Sequence, residues 1–175
     1  MILVDYSVHR SLIHRGRVFI LHKGDRKVLK MTDTNGKLTA QDIEYFQKES
    51  NIQLTNNYKD FLLKWNGGYI EPHLFNISDE QGMSGMNLFY GIGDIDDNLL
   101  DVMDDLDGRL PSGFIAIGDD PNGNQICLGT SHPHHDHIYF WDHENEPDLD
   151  EPDRSNMYFL ADNIWAFLDN LYDDE

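Results

Sequence analysis

Apolar positions along the chain occur both in short runs and in helical stripes. The runs at 114–117, 125–128 and 137–141 have strand length and composition, and clusters of turn-forming residues separate them. Three runs in this order predict three neighbouring strands of one sheet, most simply a meander. Further strands are predicted at 74–77, 86–92 and 157–161.

Helical spacing marks several segments. Two sets lie at i, i+3, i+4 and i+7, namely Tyr58, Phe61, Leu62 and Trp65, and Ile164, Phe167, Leu168 and Leu171. Thr39 predicts the start of an earlier helix, because its hydroxyl can cap the first turn and Asp42 occupies the capping-box position. Asn56 and either Asp162 or Asn163 are the predicted caps of the two later helices.

The first 36 residues differ from the remainder in charge. They hold seven Lys and Arg against three acids, a net of +4, which leaves −23 for the other residues. Apolar runs at 18–21 and 28–31 flank turn-forming residues at 23–26, and this pattern predicts a β-hairpin. We therefore predict a basic N-terminal extension, residues 1–36, and one domain, residues 37–175.

The length of 175 residues is typical of one domain with an ordinary core. The single cysteine, Cys127, excludes an internal disulfide, and its apolar surroundings predict a buried, inert thiol. No apolar stretch approaches the roughly 20 residues needed to span a bilayer. The N-terminus lacks the pattern of a signal peptide, so a cytoplasmic location is expected.

Net charge is the strongest feature of the composition. The chain has 13 Lys and Arg against 32 Asp and Glu, a formal charge of −19. This argues against direct binding to nucleic acid or an anionic membrane, because both need a basic face. It favours a basic protein partner attracted at long range. Acidic chains are also simply soluble, so charge alone leaves both interpretations open.

Segment 94–107 predicts an acidic helix. Leu99, Val102, Met103 and Leu106 face the core, and seven aspartates occupy the remaining positions. Carboxylates near the end of a helix, such as Asp104 and Asp105, oppose its dipole and cost stability. These two residues are therefore candidate partner contacts.

Two polar segments around the central strands add further candidates. Asp119 and Asp120 open a turn that resembles a calcium loop but lacks the required spacing and the late glutamate, which favours an Asx-stabilised turn. Asp142, His143 and Glu144 follow an aromatic strand. They form either a polar recognition edge or an ordinary strand end.

A histidine-rich loop is the one motif that suggests catalysis. His132, His134, Asp136 and His137 spell H-x-H-x-D-H, which is similar to the zinc-ligand motif of the metallo-β-lactamase fold. A strand follows instead of glycines and a helix, and only His143 remains downstream. We predict a hairpin loop in which His132, His134 and His137 are at most adventitious metal ligands. No nucleophile or cofactor motif stands out, so we expect neither an enzyme nor a cofactor.

Several segments together carry a family resemblance. They are the extended 52–54 segment, the 58–62 helix, the Asn66-Gly67-Gly68 stop, I-G-x-D-x-x-G-N at 117–124, I-Y-F-W-D-H-E at 138–144 and the 164–171 helix. In this order they resemble the SMI1/KNR4 family, also called the SUKH superfamily. Thr55 and Ala116 stand where the family often has proline, the histidine-rich loop is unusual, and residues 1–36 have no counterpart.

The resemblance implies an α+β domain with a largely antiparallel mixed sheet flanked by helices, and no catalysis. Bacterial members look like immunity proteins that neutralise a toxin domain, often a nuclease. The expected partner is then a basic protein toxin domain. Fungal members look like regulators, so a regulatory or scaffold module without a toxin partner is the alternative. A metal-dependent hydrolase using the 132–137 loop is the third hypothesis. The oligomeric state stays open.

Overall fold

The computed structural model describes residues 11–14, 17–20, 28–147 and 152–173. The described strands are β1 (Ser11–His14), β2 (Arg17–Ile20), β3 (Lys30–Thr32), β4 (Tyr69–Glu71), β5 (Leu74–Ser78), β6 (Gly82–Gly85), β7 (Leu88–Phe89), β8 (Phe114–Asp119), β9 (Gln125–Gly129), β10 (Ile138–Trp141) and β11 (Met157–Ala161). The helices are α1 (Ala40–Ser50), α2 (Asn56–Trp65), α3 (Leu99–Asp105) and α4 (Ile164–Asn170), and His143–Asn145 form a 3-10 helix. The fold is α+β with antiparallel sheets, as the sequence predicts.

Five strands form the central sheet, in the order β11-β10-β9-β8-β7. The meander predicted for β8, β9 and β10 is confirmed, because both neighbouring pairs are antiparallel. Trp141 lies opposite Gln125, so the β8–β9 turn and the segment after β10 emerge at the same end of the sheet. The loop between β9 and β10 lies at the opposite end.

Helices α2 and α4 cover one face of this sheet. Phe61 of α2 packs on Phe89 of β7 with ring centroids 4.9 Å apart. Phe75 packs against Phe140 of β10 and Phe167 of α4, at 6.1 and 5.4 Å. The apolar stripes predicted for the two helices are buried except for Trp65, which is half-buried. Aromatic pairs of this kind contribute about 0.5–1.5 kcal/mol each beyond the area they bury.

The connection between α3 and β8 covers part of the other face. Side chains alternate along a strand, so Trp141 points away from the face that carries Phe140. The guanidinium of Arg109 lies 5.2 Å from the Trp141 ring centroid. Phe114 meets Tyr139 edge to face at 5.3 Å. Cys127 is fully buried, which agrees with the expected inert thiol, and burial raises the pKa of that thiol.

The helix caps agree with the sequence in two of three cases. Thr39 and Asp42 form the predicted capping box of α1. Asn163 caps α4, and its side chain accepts a hydrogen bond from the backbone of Ala166. The prediction for α2 is wrong by one residue, because Thr55 is the cap and its hydroxyl accepts from the backbone of Tyr58. Threonine and asparagine are both good caps, so the sequence alone did not separate them.

The N-terminal hairpin is built from different residues than predicted. Strand β2 pairs with β1, and β3 pairs with β4 in the body of the protein. The predicted turn at 23–26 lies outside the described residues. Met31 lies opposite Ile70, which is buried. This pairing joins the second apolar run to the body of the protein instead of to the first run.

Two other elements are shorter than predicted. The helix predicted over 94–107 covers only α3, because the Gly91 amide donates to Asp97 and the Leu99 amide donates to Gly91, which holds the preceding residues in a loop. Asn98 caps the helix. The strand predicted over 86–92 contracts to β7.

No helix among the described residues has the length and apolar character that crossing a membrane would require.

Candidate partner-binding surface

The β8–β9 turn and the segment after β10 are joined by Asn124. Its side-chain oxygen accepts a hydrogen bond from the backbone of His143 at 3.1 Å and lies 2.8 Å from His143 Nδ1. This pair is geometrically consistent with an Nδ1–H that donates to the amide oxygen. The contact brings the turn that carries Asp119 and Asp120 against the segment that carries Glu144.

Asp120 is a structural residue of the turn. It is 1% exposed, and its carboxylate accepts from the backbone amides of Asn122 and Asn124, both at 2.9 Å. The Asn124 side chain and the Ser84 hydroxyl donate to its second oxygen at 2.9 and 2.7 Å. The predicted Asx-stabilised turn is therefore present. The Asp120 carboxylate therefore has no exposed side that a partner could contact.

Asp119 is half-buried beside the same turn. The Asn87 amide donates to its carboxylate at 3.1 Å. Burial is the main cause of the raised pKa of Asp119. The hydrogen bonds from Asn87 and the Leu88 backbone lower this pKa, and the charges of Asp97 and Asp120 raise it. Asp97 is therefore close enough to add to the negative potential at this end of the sheet.

Asp142 and Glu144 have different environments although they are close in sequence. Asp142 is 9% exposed and caps the 3-10 helix, accepting from the Glu144 backbone at 3.0 Å and the Asn145 side chain at 2.8 Å. Asn156 donates to its backbone carbonyl at 2.7 Å. Glu144 itself is exposed. Of this pair, only Glu144 presents its carboxylate to solvent.

An ion pair ties the connection that follows α3 to the same region. Arg109 donates to Glu146 through Nη2 at 2.7 Å and through Nε at 3.2 Å. The hydrogen bond to Glu146 is the main cause of the raised pKa of Arg109. Burial lowers this pKa, and the charge of Glu146 raises it further. Asp104 and Asp105 lie in the last turn of α3 and are exposed.

The structure thus separates the predicted candidates by exposure. Asp104, Asp105 and Glu144 are exposed, Asp119 and His143 are half-buried, and Asp120 and Asp142 are buried. We call the first three, with the elements that carry them, the acidic surface. Sequence reasoning did not single out Arg109 or Glu146, which link its parts. The position of Arg109 directly after an acidic run was the available signal for an ion pair. The sequence could not identify the partner, because Glu146 is 37 residues away.

The histidines of the β9–β10 loop have separate contacts. His134 Nδ1 lies 2.7 Å from the Tyr139 hydroxyl, and the His132 ring stacks on His135 at 5.4 Å. The His137 ring meets Phe159 edge to face at 5.4 Å. In the part of the chain that the structure describes, no group of three or more His, Cys, Asp or Glu side chains is arranged to hold a metal ion.

The five-stranded antiparallel sheet, with α2 and α4 on one face, defines an α+β protein. Residues 37–170 match the model of the SMI1 / KNR4 family (SUKH-1), and the chain belongs to this family. The match confirms the resemblance noted in the sequence.

A curated relative places a similar chain in a bacterial genome. The chain is 27% identical over 156 residues to the SPbeta prophage-derived uncharacterized protein YokK of Bacillus subtilis (strain 168). The aligned region covers 78% of this chain and 76% of the relative. The similarity therefore extends over most of both proteins.

Proposed function

We propose that this protein is a non-catalytic binding protein of the cytoplasm that acts as an immunity protein, neutralising a basic toxin domain of the nuclease type. The observation that supports the proposal is the acidic surface. Asp104, Asp105 and Glu144 are exposed, and none of them forms an ion pair with a described residue. Family membership is consistent with this role.

Electrostatics gives the surface its function in this proposal. A nuclease domain holds phosphates, so its active site is basic. Complementary charge steers such a partner into contact and raises the association rate, with a strong dependence on salt. The aspartates at the end of α3 oppose the helix dipole, so they cost stability in the free protein. A bound cationic partner would relieve that cost.

Three carboxylates cannot make a complete interface. A stable complex buries about 1,600 Å² in total, so about 800 Å² would come from the 11553 Å² surface of this chain. The contact must therefore extend beyond the acidic surface, and the adjacent half-buried Asp119 and His143 are its nearest candidates. Asp120 and Asp142 support this region through their hydrogen bonds.

The test is co-expression with the toxin domain encoded by the neighbouring reading frame. We expect the two proteins to co-purify, cell growth to be protected, and the association rate to fall as salt rises. The variant Asp104→Asn, Asp105→Asn, Glu144→Gln should slow association by about tenfold or more at low salt.

A matched control removes the same charge elsewhere. Glu44→Gln, Asp60→Asn, Asp169→Asn also neutralises three exposed carboxylates, on α1, α2 and α4. An equal loss in both variants would show that net charge alone is responsible. Absence of both retention and protection would overturn the immunity function. Retention without protection would instead favour a regulatory module.

A further inference from the structure

A cleft lies between the β9–β10 loop, the start of β8 and the last part of the β10–β11 connection. It has a volume of about 580 Å³ and is walled by three loops, at 111–114, 131–134 and 152–155. Sites for small molecules usually measure about 300–1,000 Å³. None of the residues assigned to the acidic surface lines the cleft, so its use does not depend on the proposed function.

Arg154 is the one lysine or arginine on the described lining of the cleft. Its side chain has no ion pair or hydrogen bond with any described residue, whereas Arg109 and Lys30 pair with glutamates at 2.7 and 3.2 Å. The Arg154 side chain is exposed, so its guanidinium is accessible to a ligand. Its fork of donors matches the oxygens of a phosphate or carboxylate.

Arg154 and His134 line the same cleft, and the charge of Arg154 affects the pKa of His134 and of Tyr139. Burial lowers the pKa of His134, and the charges of Arg154 and His137 lower it further. Burial raises the pKa of Tyr139, and the charge of Arg154 opposes that rise. The guanidinium therefore acts on His134, which lines the cleft, and on Tyr139 behind it, whose hydroxyl lies 2.7 Å from His134 Nδ1.

One acidic residue lines the cleft and could repel an anion. The carboxylate of Asp153 accepts a hydrogen bond from the Ser155 backbone at 2.8 Å, which holds it in its own turn. The hydroxyls of Ser112 and Ser131 have no hydrogen bond to a described residue and are exposed at the cleft. They are additional donors to a bound oxygen.

The remaining lining consists of three prolines and the rings of Phe114, His132 and His134. Pro111, Pro133 and Pro152 contribute one proline to each wall. The rings of His134 and Phe114 pack at 5.4 Å with an interplanar angle of 35°. Such walls suit a planar or apolar body, and little side-chain entropy is lost on binding because proline rings are already fixed.

We propose that this cleft binds a small organic anion, with its phosphate or carboxylate on Arg154 and the serine hydroxyls, and its apolar body against the prolines and His134. Phosphate and carboxylate share the chemistry that the guanidinium recognises. The planar body distinguishes this ligand from an inorganic ion.

The experiment is a titration of the full chain, followed by two-dimensional NMR, with phenyl phosphate, benzoate, inorganic phosphate and benzyl alcohol. We expect saturable shifts of amides in the three loops with phenyl phosphate or benzoate, whichever head group is preferred. Arg154→Gln should weaken that binding about tenfold or more, because two charge-assisted hydrogen bonds are lost. Arg109→Gln removes the same charge outside the cleft and should leave the affinity unchanged.

Several results would overturn the proposal. The first is the absence of a saturable shift at ligand concentrations up to about 10 mM, because a dissociation constant above that value is too weak for a specific site. The second is an equal loss of affinity in both arginine variants. The third is equal affinity for inorganic phosphate or benzyl alcohol. The Arg154→Gln variant must keep the same unfolding midpoint as the parent protein. Its loss of binding then reports on the site and not on folding.

Discussion

The side chain of Asn66 forms hydrogen bonds with both backbone groups of Ile92. Its oxygen accepts from the Ile92 amide at 2.8 Å, and its nitrogen donates to the Ile92 carbonyl at 3.0 Å. Asn66 ends α2 in the left-handed conformation, with φ 48°, and is 3% exposed. One residue thus ends a helix and fixes the chain that follows β7.

We expect Asn66→Gly to lower the free energy of unfolding by about 2–3 kcal/mol, because two buried backbone groups lose their partner. Asn66→Ala should cost about 1 kcal/mol more, since alanine also resists the left-handed conformation. Urea denaturation measures both. Asn51 is the control, because it ends α1 with φ 56° but is exposed. Asn51→Gly should change stability by less than about 0.5 kcal/mol, and equal losses at both positions would contradict the role given to the Ile92 contacts.

Asp120 should be necessary for folding and not directly for partner contact. Replacing it by alanine leaves the Asn124 amide and other buried donors without an acceptor, so we expect a loss of about 3 kcal/mol or more. Ser84→Ala removes only one of the donors to Asp120 and should cost about 1 kcal/mol. Thermal and urea unfolding give the comparison. A nearly neutral Asp120→Ala would show that the turn does not depend on this carboxylate.

The two aspartates at the end of α3 should destabilise the free protein. Replacing Asp104 and Asp105 by asparagine removes charges that oppose the helix dipole, so stability should rise by about 0.3–1 kcal/mol per residue at low salt. The gain should shrink as salt rises. Asp101 lies in the first turn of the same helix, and Asp101→Asn should act in the opposite direction. A loss of stability in the double variant would contradict this interpretation.

Acid should weaken the fold at His134. Burial, followed by the electrostatic interactions with Arg154 and His137, lowers the pKa of His134 in the folded state. The unfolded chain then binds the proton more readily, so stability is fully present above the unfolded pKa of about 6.5 and is lost as pH falls through the folded pKa. His134→Asn can keep a bond to Tyr139 and should flatten the pH dependence of the free energy of unfolding below about pH 6.5. His135→Asn, on the exposed ring that stacks on His132, is the control.

The sequence by itself determined the local elements wherever pattern and capping agree. The stripe from Tyr58 to Trp65, the capping box of Thr39 and the three strands of the meander were all readable, because each depends on neighbours only a few residues away. The motif that includes Asn66 also indicated the family. These features carry their own periodicity or hydrogen-bonding chemistry.

Tertiary structure alone decided which acids reach solvent and how the strands outside the meander pair. Asp120 and Asp105 are both aspartates in acidic segments, yet one is surrounded by donors from Ser84 and Asn124 and the other is exposed. Strand β3 pairs with β4 and not with its neighbour in sequence. Burial and the pairing of strands that are distant in sequence depend on contacts between residues far apart in the chain, so no local pattern can fix them.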